Sequence, residues 1–222
     1  MSFPEGITKL DYEAFYGCTG LTEVQLPNSI TYFGYNLFQN CTGLQSINYP
    51  AGLIETHSWA NVFTGCSSLK SITVPEGVTT LCAYVFSGAN YLEEVILPES
   101  LKIIGGSALA GCVRLKSIEI PDSVTEIRSG AFNGCTGLTS IDFPASLTVI
   151  GSRAFYGCTG LTSMSFQEGI TKLDYEAFYG CTGLKAVTLP DSITYIGYKP
   201  FQNCTARRSS EYLAGLIETH SV

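Results

Sequence analysis

Nine cysteines are the most regular chemical feature of this 222-residue chain. Cys18, Cys41, Cys66, Cys112, Cys135, Cys158, Cys181 and Cys204 keep a spacing of 23 residues, apart from one step of 25 between Cys41 and Cys66 and one skipped place at Ala89. Cysteines can bind metal, form disulfides or attack electrophiles. A zinc site needs thiols two to four residues apart, and the closest pair, Cys66 and Cys82, is 16 apart. Stacked one per repeat, their Cα atoms come within about 5 Å, which would permit disulfides. An odd count with one thiol per repeat fits a column of small, buried, reduced side chains better. No metal site and no cofactor is expected. Catalytic signatures are equally thin. The two histidines, His57 and His220, are copies of one position. No G-x-S-x-G, H-E-x-x-H or phosphate-cradling loop occurs, so the chain reads as a non-enzyme. Asn40-Cys41-Thr42 and Asn203-Cys204-Thr205 are formal glycosylation sequons whose central residue belongs to the cysteine column.

The elements that place these residues follow from the period, because a fixed repeat of 20–50 residues signals a solenoid. One clean copy, Leu138 to Cys158, gives the pattern L-x-x-I-x-[LF]-P-x-x-[IVL]-x-x-I-G-x-x-A-F-x-x-C-x-x. Ile141 and Phe143 alternate with period two, as in a strand, and Pro144 ends it for want of an N–H. Leu147 to Ile150 reads as a second short extended piece, and Gly151 as a turn at positive φ. The A-F-x-x-C spacing predicts a short helical turn with one buried face. About nine rungs, stacked at roughly 4.7–4.9 Å, make a rod of about 40 Å. Phe15, Phe38, Phe63, Phe86, Phe132, Phe155, Phe178 and Phe201, with Leu109, form a core column.

The L-x-x-I-x-L-P strand, the I-G step and the A-F-x-x-C turn resemble the BspA-like leucine-rich repeats, the TpLRR class, over residues 1–204. The resemblance implies an α/β-type, right-handed leucine-rich solenoid with a parallel β-sheet on one side and short strands and helical turns opposite. It also implies protein–protein recognition, often by a secreted or surface-displayed adhesin.

Within this frame three surfaces are candidates. The outward strand positions are small and polar, with acid gathered in the middle rungs: Glu93, Glu94, Glu119 and Asp142, flanked by Lys70 and Lys116. They suit a basic or mixed protein segment. No Arg or His shares the columns of Glu119 and Asp142, as polysaccharide-cleaving chemistry would want. Tyrosines gather near the two ends, at Tyr12, Tyr16, Tyr32 and Tyr35 and at Tyr175, Tyr179, Tyr195 and Tyr198. Tyrosine suits interfaces because it offers area with a polar tip. The two-residue insertion, Ala51 to Ala60, takes the place of an I-G step and brings Glu55, His57 and the single tryptophan, Trp59, into an irregular loop. In the next rung Cys82 occupies the usual glycine position.

Net charge of −7 argues against nucleic acid or an anionic membrane as partner. No apolar run is long enough to insert in a bilayer. The partner expected is a protein of unknown identity; the alternative is a structural spacer or assembly segment of a longer repeat array, with no specific ligand. The chain opens without a basic stretch or apolar h-region, and Met1-Ser2-Phe3 matches Met164-Ser165-Phe166, so it starts mid-repeat, as a fragment would. Residues 1–58 and 164–221 match at a constant offset of 163. In the second copy Arg207, Arg208 and Ser210 interrupt the strand pattern, so residues 205–222 read as a degenerate repeat, cap or tail. The first rung carries no such device, and an end-to-end homodimer through it is expected.

Overall fold

A computed structural model describes residues 1–205; the degenerate repeat expected beyond Thr205 lies outside the described residues. The chain winds into a parallel β-solenoid of about eight turns. Each turn contributes two lines of short strands and a corner. The first line holds Glu23–Val24, Ser46–Ile47, Ser71–Thr73, Glu94–Ile96, Ser140–Asp142 and Ser163–Ser165. The second holds Lys9–Leu10, Tyr32–Phe33, Glu55–Thr56, Thr80–Leu81, Ile103–Ile104, Glu126–Ile127, Val149–Ile150, Lys172–Leu173 and Tyr195–Ile196. Every pairing is parallel and one repeat apart, as in Glu126↔Val149 and Ile127↔Ile150. Outward and inward residues alternate, so Ile141, Ile127 and Ile150 are buried while Ser140 and Asp142 are exposed.

The second line is the more continuous: a six-stranded sheet from Thr80–Leu81 to Tyr195–Ile196, and a three-stranded one before it. It breaks at the two-residue insertion. The ladder still runs through Tyr32↔Glu55 and Phe33↔Thr56, and the His57 amide bonds the Phe33 carbonyl at 2.9 Å. Thr56 and His57 therefore stand in the places of the I-G step, and the two extra residues follow them, before Cys66.

No helix forms among the described residues, so the helical turns expected opposite the sheet are absent. The backbone explains why. Each corner is bracketed by two left-handed residues, for instance Gly130 (φ 67°) and Gly134 (φ 71°), or Arg153 (55°) and Gly157 (68°). Between them, alternate amides leave the turn altogether. Gly130, Phe132 and Gly134 donate to the carbonyls of Ser152, Ala154 and Tyr156 in the next rung, at 2.9, 2.7 and 2.8 Å. An α-helix would need those amides for its own i−4 carbonyls. What remains within the corner are i−3 bonds on the intervening amides, such as Asn133 to Gly130, 2.9 Å, and Cys135 to Phe132, 3.1 Å. The I-G glycine also differs from expectation. Gly151 has no positive φ; it is needed because a Cβ there would lie 2.7 Å from the Ser129 amide nitrogen of the rung before.

The core is a set of columns. Phe132, Phe155 and Phe178 stack at 4.9 and 5.0 Å, within 6° of parallel, all buried. Beside them the thiols do specific work. Cys135, Cys158 and Cys181 donate to the carbonyls of Leu109, Phe132 and Phe155, at 3.2, 3.1 and 3.1 Å. The same carbonyl already takes the amide of its own turn's cysteine, so the thiol of the next rung fills its second lone pair. Ser and Thr columns do likewise on the other side: Ser146 to Val124 (2.7 Å), Thr148 to Thr125 (3.0 Å), Thr171 to Thr148 (3.2 Å).

Burial pushes Cys41, Cys66 and Cys112 up to about 11, 12 and 12, from an ordinary 9.0. Unfolding would release them to ionise near 9, so their contribution is complete below that pH and is lost as pH rises toward the folded values. Each then costs about 1.4 kcal/mol of stability per pH unit. The urea midpoint should hold steady from about pH 6 to 8 and fall steeply between about pH 9 and 11. Cys112→Ala should flatten that fall; a midpoint unmoved at high pH would contradict the buried thiol column.

Candidate functional site

The outward face of the first line is built from residues alternating with the buried Ile and Val positions. Pairing sets Ser71 beside Glu94, Thr73 beside Ile96, and Asp142 beside Ser165. Ser165 Oγ donates to the Asp142 carboxylate at 2.6 Å. Glu94, Lys116, Glu119 and Asp142 are all exposed. Between Glu94–Ile96 and Ser140–Asp142 the rung Ser117–Ile120 forms no strand and joins neither neighbour's ladder. The opening is a shallow cleft of about 300 Å³ lined by Ser117, Ile118, Glu119, Ile120, Ser140 and Asp142. The acidic face and the break in the ladder thus coincide. A second break, beside Ser46–Ile47, leaves a cleft of about 310 Å³ with neutral walls such as Gln25, Gln45 and Asn48. There the Asn48 amide side chain reaches back to both backbone groups of Leu26, at 2.6 and 2.8 Å.

Glu93 does not belong to that face. It turns to the flank, 3.6 Å from Lys70 Nζ and 3.9 Å from Arg114. Both cations also cover the Tyr91 ring, at 5.3 and 4.8 Å. Sequence reasoning did not pair Tyr91 with Arg114, although they stand one repeat apart and so share a column.

The tyrosines divide into two separate groups. Near the N-terminal end Tyr12 and Tyr35 stack at 4.7 Å, and His57 packs against both at 5.3 and 5.7 Å. The structure thereby joins one residue of the irregular loop to the aromatic edge. Glu55 instead sits in the second strand line, paired with Tyr32. Tyr16 is half exposed, its hydroxyl 3.3 Å from Asn40 Nδ2. Trp59 (φ 66°) is thrown outward by the insertion, 76% exposed, with Tyr84 6.2 Å away. Near the C-terminal end Tyr175 and Tyr198 stack at 5.9 Å, and Tyr156 and Tyr179 at 4.9 Å. This group carries its own cations. Arg153 lies over Tyr156 and Tyr175 at 5.7 and 5.2 Å and binds Glu176 at 2.8 Å; Lys199 lies over Tyr198 at 4.7 Å. Although desolvation works the other way, Arg153 holds the Glu176 carboxyl below its usual value.

No group of three or more His, Cys, Asp and Glu side chains poised for a metal occurs among the described residues. What the surfaces offer is exposed carboxylates beside a backbone out of its ladder, and flat aromatic rings.

Comparison with known proteins agrees on the architecture. The model for the BspA type leucine rich repeat region matches residues 1–112 and 80–208. A leucine-rich repeat protein from Bacteroides ovatus superposes with a TM-score of 0.51 at 30% identity, over 90% of this chain and 69% of that one. The leucine rich repeat protein of T. pallidum, TpLRR, gives 0.51 at 24% identity, over 99% and 82%. No curated protein sequence matches the chain.

Because Trp59 is the single tryptophan and stands outside the core, its fluorescence should be red-shifted and freely quenched by acrylamide in the folded protein. Trp59→Ala should change stability by no more than about 0.5 kcal/mol. A blue-shifted, protected emission would place the ring in a contact the monomer does not have.

Proposed function

The chain belongs to the BspA-type leucine-rich repeat family, and on that footing we propose that it is a non-enzymatic protein-binding module that takes a cationic, extended segment of its partner along the first strand line. Secreted or surface-displayed adhesion is the setting this reading implies. The observation that carries it is the coincidence of Glu94, Glu119 and Asp142 with the rung whose backbone leaves the ladder. Carboxylates steer a basic segment in, and their small neighbours let its main chain come close. Ser117–Ile120 joins no ladder among the described residues, and the shallow cleft there lets the segment lie against the rod. Exposed ion pairs contribute about 0.2–1 kcal/mol each, so affinity would come from repetition along the rod and would fall with salt. Arg114, Lys70 and Tyr91 set one border of the surface, since Glu93 is already neutralised there.

The test uses a labelled, extended peptide rich in lysine and arginine, read by fluorescence anisotropy against the full chain. Glu94→Ser, Glu119→Ser and Asp142→Ser together should weaken it by about tenfold or more, while leaving thermal unfolding unchanged because all three are exposed. Equal binding by the triple variant, or binding indifferent to salt, would overturn the assignment of this face.

A further inference from the structure

Neighbouring rungs meet along three lines, the two strand lines and the corner. At the junction that precedes residues 44–66, all three carry backbone bonds. Ser46–Ile47 pairs with Glu23–Val24, the His57 amide bonds the Phe33 carbonyl, and Asn36, Phe38 and Asn40 donate to Ala60, Val62 and Thr64 at 2.6, 3.0 and 2.8 Å. At the junction that follows residues 69–89 they do so again. Ser71–Thr73 pairs with Glu94–Ile96, Thr80–Leu81 pairs with Ile103–Ile104, and Tyr84, Phe86 and Gly88 donate to Gly106, Ala108 and Ala110 at 3.0, 2.8 and 2.7 Å.

Between residues 44–66 and 69–89 none of the three lines is closed among the described residues. Neither Ser46–Ile47 nor Glu55–Thr56 has a partner in the following rung. The corner residues Asn61 and Phe63 hold the places of Tyr84 and Phe86, yet their amides donate to no backbone carbonyl. The Gly65 amide turns to Asn90 Oδ1 instead, at 3.4 Å. What remains is the i−3 bond of Leu69 to Cys66, where the chain itself passes from one rung to the next. A gap in the first line alone is different. Beside Ser117–Ile120, Ile103–Ile104 still pairs with Glu126–Ile127, and the Ser107 amide still bonds Ser129 at 2.9 Å.

Packing marks the same seam. Phe38 and Phe63 stack within 2° of parallel, but Phe63 meets Phe86 across the seam at 6.1 Å and 32°. The hydroxyl oxygens of Tyr49 and Thr64, both in the rung before it, are buried without a hydrogen-bond partner. Thr64 Oγ1 faces Gly88 on the far side, where a Cβ would lie 2.4 Å from it. Besides Asn90, the side-chain bonds that cross are Thr56 Oγ1 to the Ala83 carbonyl and Cys82 Sγ to the Leu53 carbonyl, the latter at 3.3 Å. The rung before the seam is the one of 25 residues, and its two extra residues precede the corner whose amides are left over.

We propose that the rod consists of two cooperative blocks, the rungs up to Ser68 and those from Leu69 onward, and that the first block opens at this seam while the second stays folded. Ser68 belongs to the first block because its hydroxyl bonds the Thr42 carbonyl at 2.7 Å. The stability of a solenoid is the sum of what each rung and each interface contributes, so an interface without its ladder divides the cooperativity of the stack. Glu94, Glu119, Asp142 and the cleft beside them lie wholly in the second block and stay formed when the first one opens. The division holds whether or not that face binds a partner.

Hydrogen exchange of the 222-residue chain in mild urea, read by mass spectrometry on peptic fragments, tests it. The amides of Phe38, Asn40 and His57 should exchange as one group, about tenfold or more faster than those of Tyr84, Phe86 and Gly105. Phe38→Leu, at a fully buried position, should speed the first group about fivefold or more and leave the second within about twofold. Phe155→Leu should do the reverse. Two results would overturn the proposal. One is either substitution speeding both groups alike, as in a rod that opens as a whole. The other is protection that climbs gradually along the chain with no step between His57 and Tyr84, as in fraying from an end.

Discussion

Each turn of this protein satisfies its backbone on its neighbours instead of on itself. A turn of 23 residues holds strands of only two or three residues and corners closed by a few i−3 bonds, none of which is stable alone. The amides of one rung must therefore meet the carbonyls of the next at a fixed step, on both strand lines and at the corner. The other regularities follow from that demand. Gly151 lacks a Cβ because the Ser129 amide needs the space. Left-handed residues recur at the corner because they turn alternate amides out toward the next rung. The Ser, Thr and Cys columns exist because a carbonyl with one amide on it still has a lone pair, and a short side chain one rung away can reach it. The phenylalanine stack then fills the space the ladders enclose, and its burial supplies hydrophobic driving force where no helix forms among the described residues.

Much of this was legible in the sequence, because a solenoid writes its columns at fixed spacing. The phenylalanine and cysteine columns, the parallel pairing and the strand-ending prolines could all be read off. The corner could not. Ala154, Phe155 and Cys158 bury one side of a five-residue turn, and that spacing is the same whether the amides bond within the turn or across rungs. The glycine of the I-G step was misjudged because close approach and positive φ both ask for glycine. Arg153 at φ 55° shows the converse, a left-handed corner residue that its type does not announce. The break at Ser117–Ile120 was also hidden, since Leu115 to Ile120 alternates like the paired strands on either side. Glu94, Glu119 and Asp142 stand exposed where alternation puts them, and Glu93, one residue before Glu94, lies to the flank beside Lys70 and Arg114, as the same alternation requires.

The candidate surfaces differ in how free they are. At the C-terminal end the tyrosines are already covered in part by Arg153 and Lys199, and at the flank Tyr91 lies between Lys70 and Arg114. Rings whose faces hold a cation from the same chain have less to offer a partner. Glu94, Glu119 and Asp142 have no cation within ion-pair distance among the described residues, and the backbone beside them is out of its ladder. Tyr12, Tyr35 and His57 make up the other uncommitted group.

The two copies of the duplicated segment show how one sequence acquires different properties from its place in the stack. Glu176 and Glu13 are the same residue in the same corner. One is buried, bonded to a guanidinium and held below its ordinary pKa; the other is exposed. Phe178 and Phe15 differ likewise, fully against partly buried. Nothing in the local sequence distinguishes them; the neighbouring rung does. In a fold whose units are completed only by the next unit, the specificity between rungs is that of the ladder itself: donors against acceptors, a ring against a ring, a cation over a glutamate.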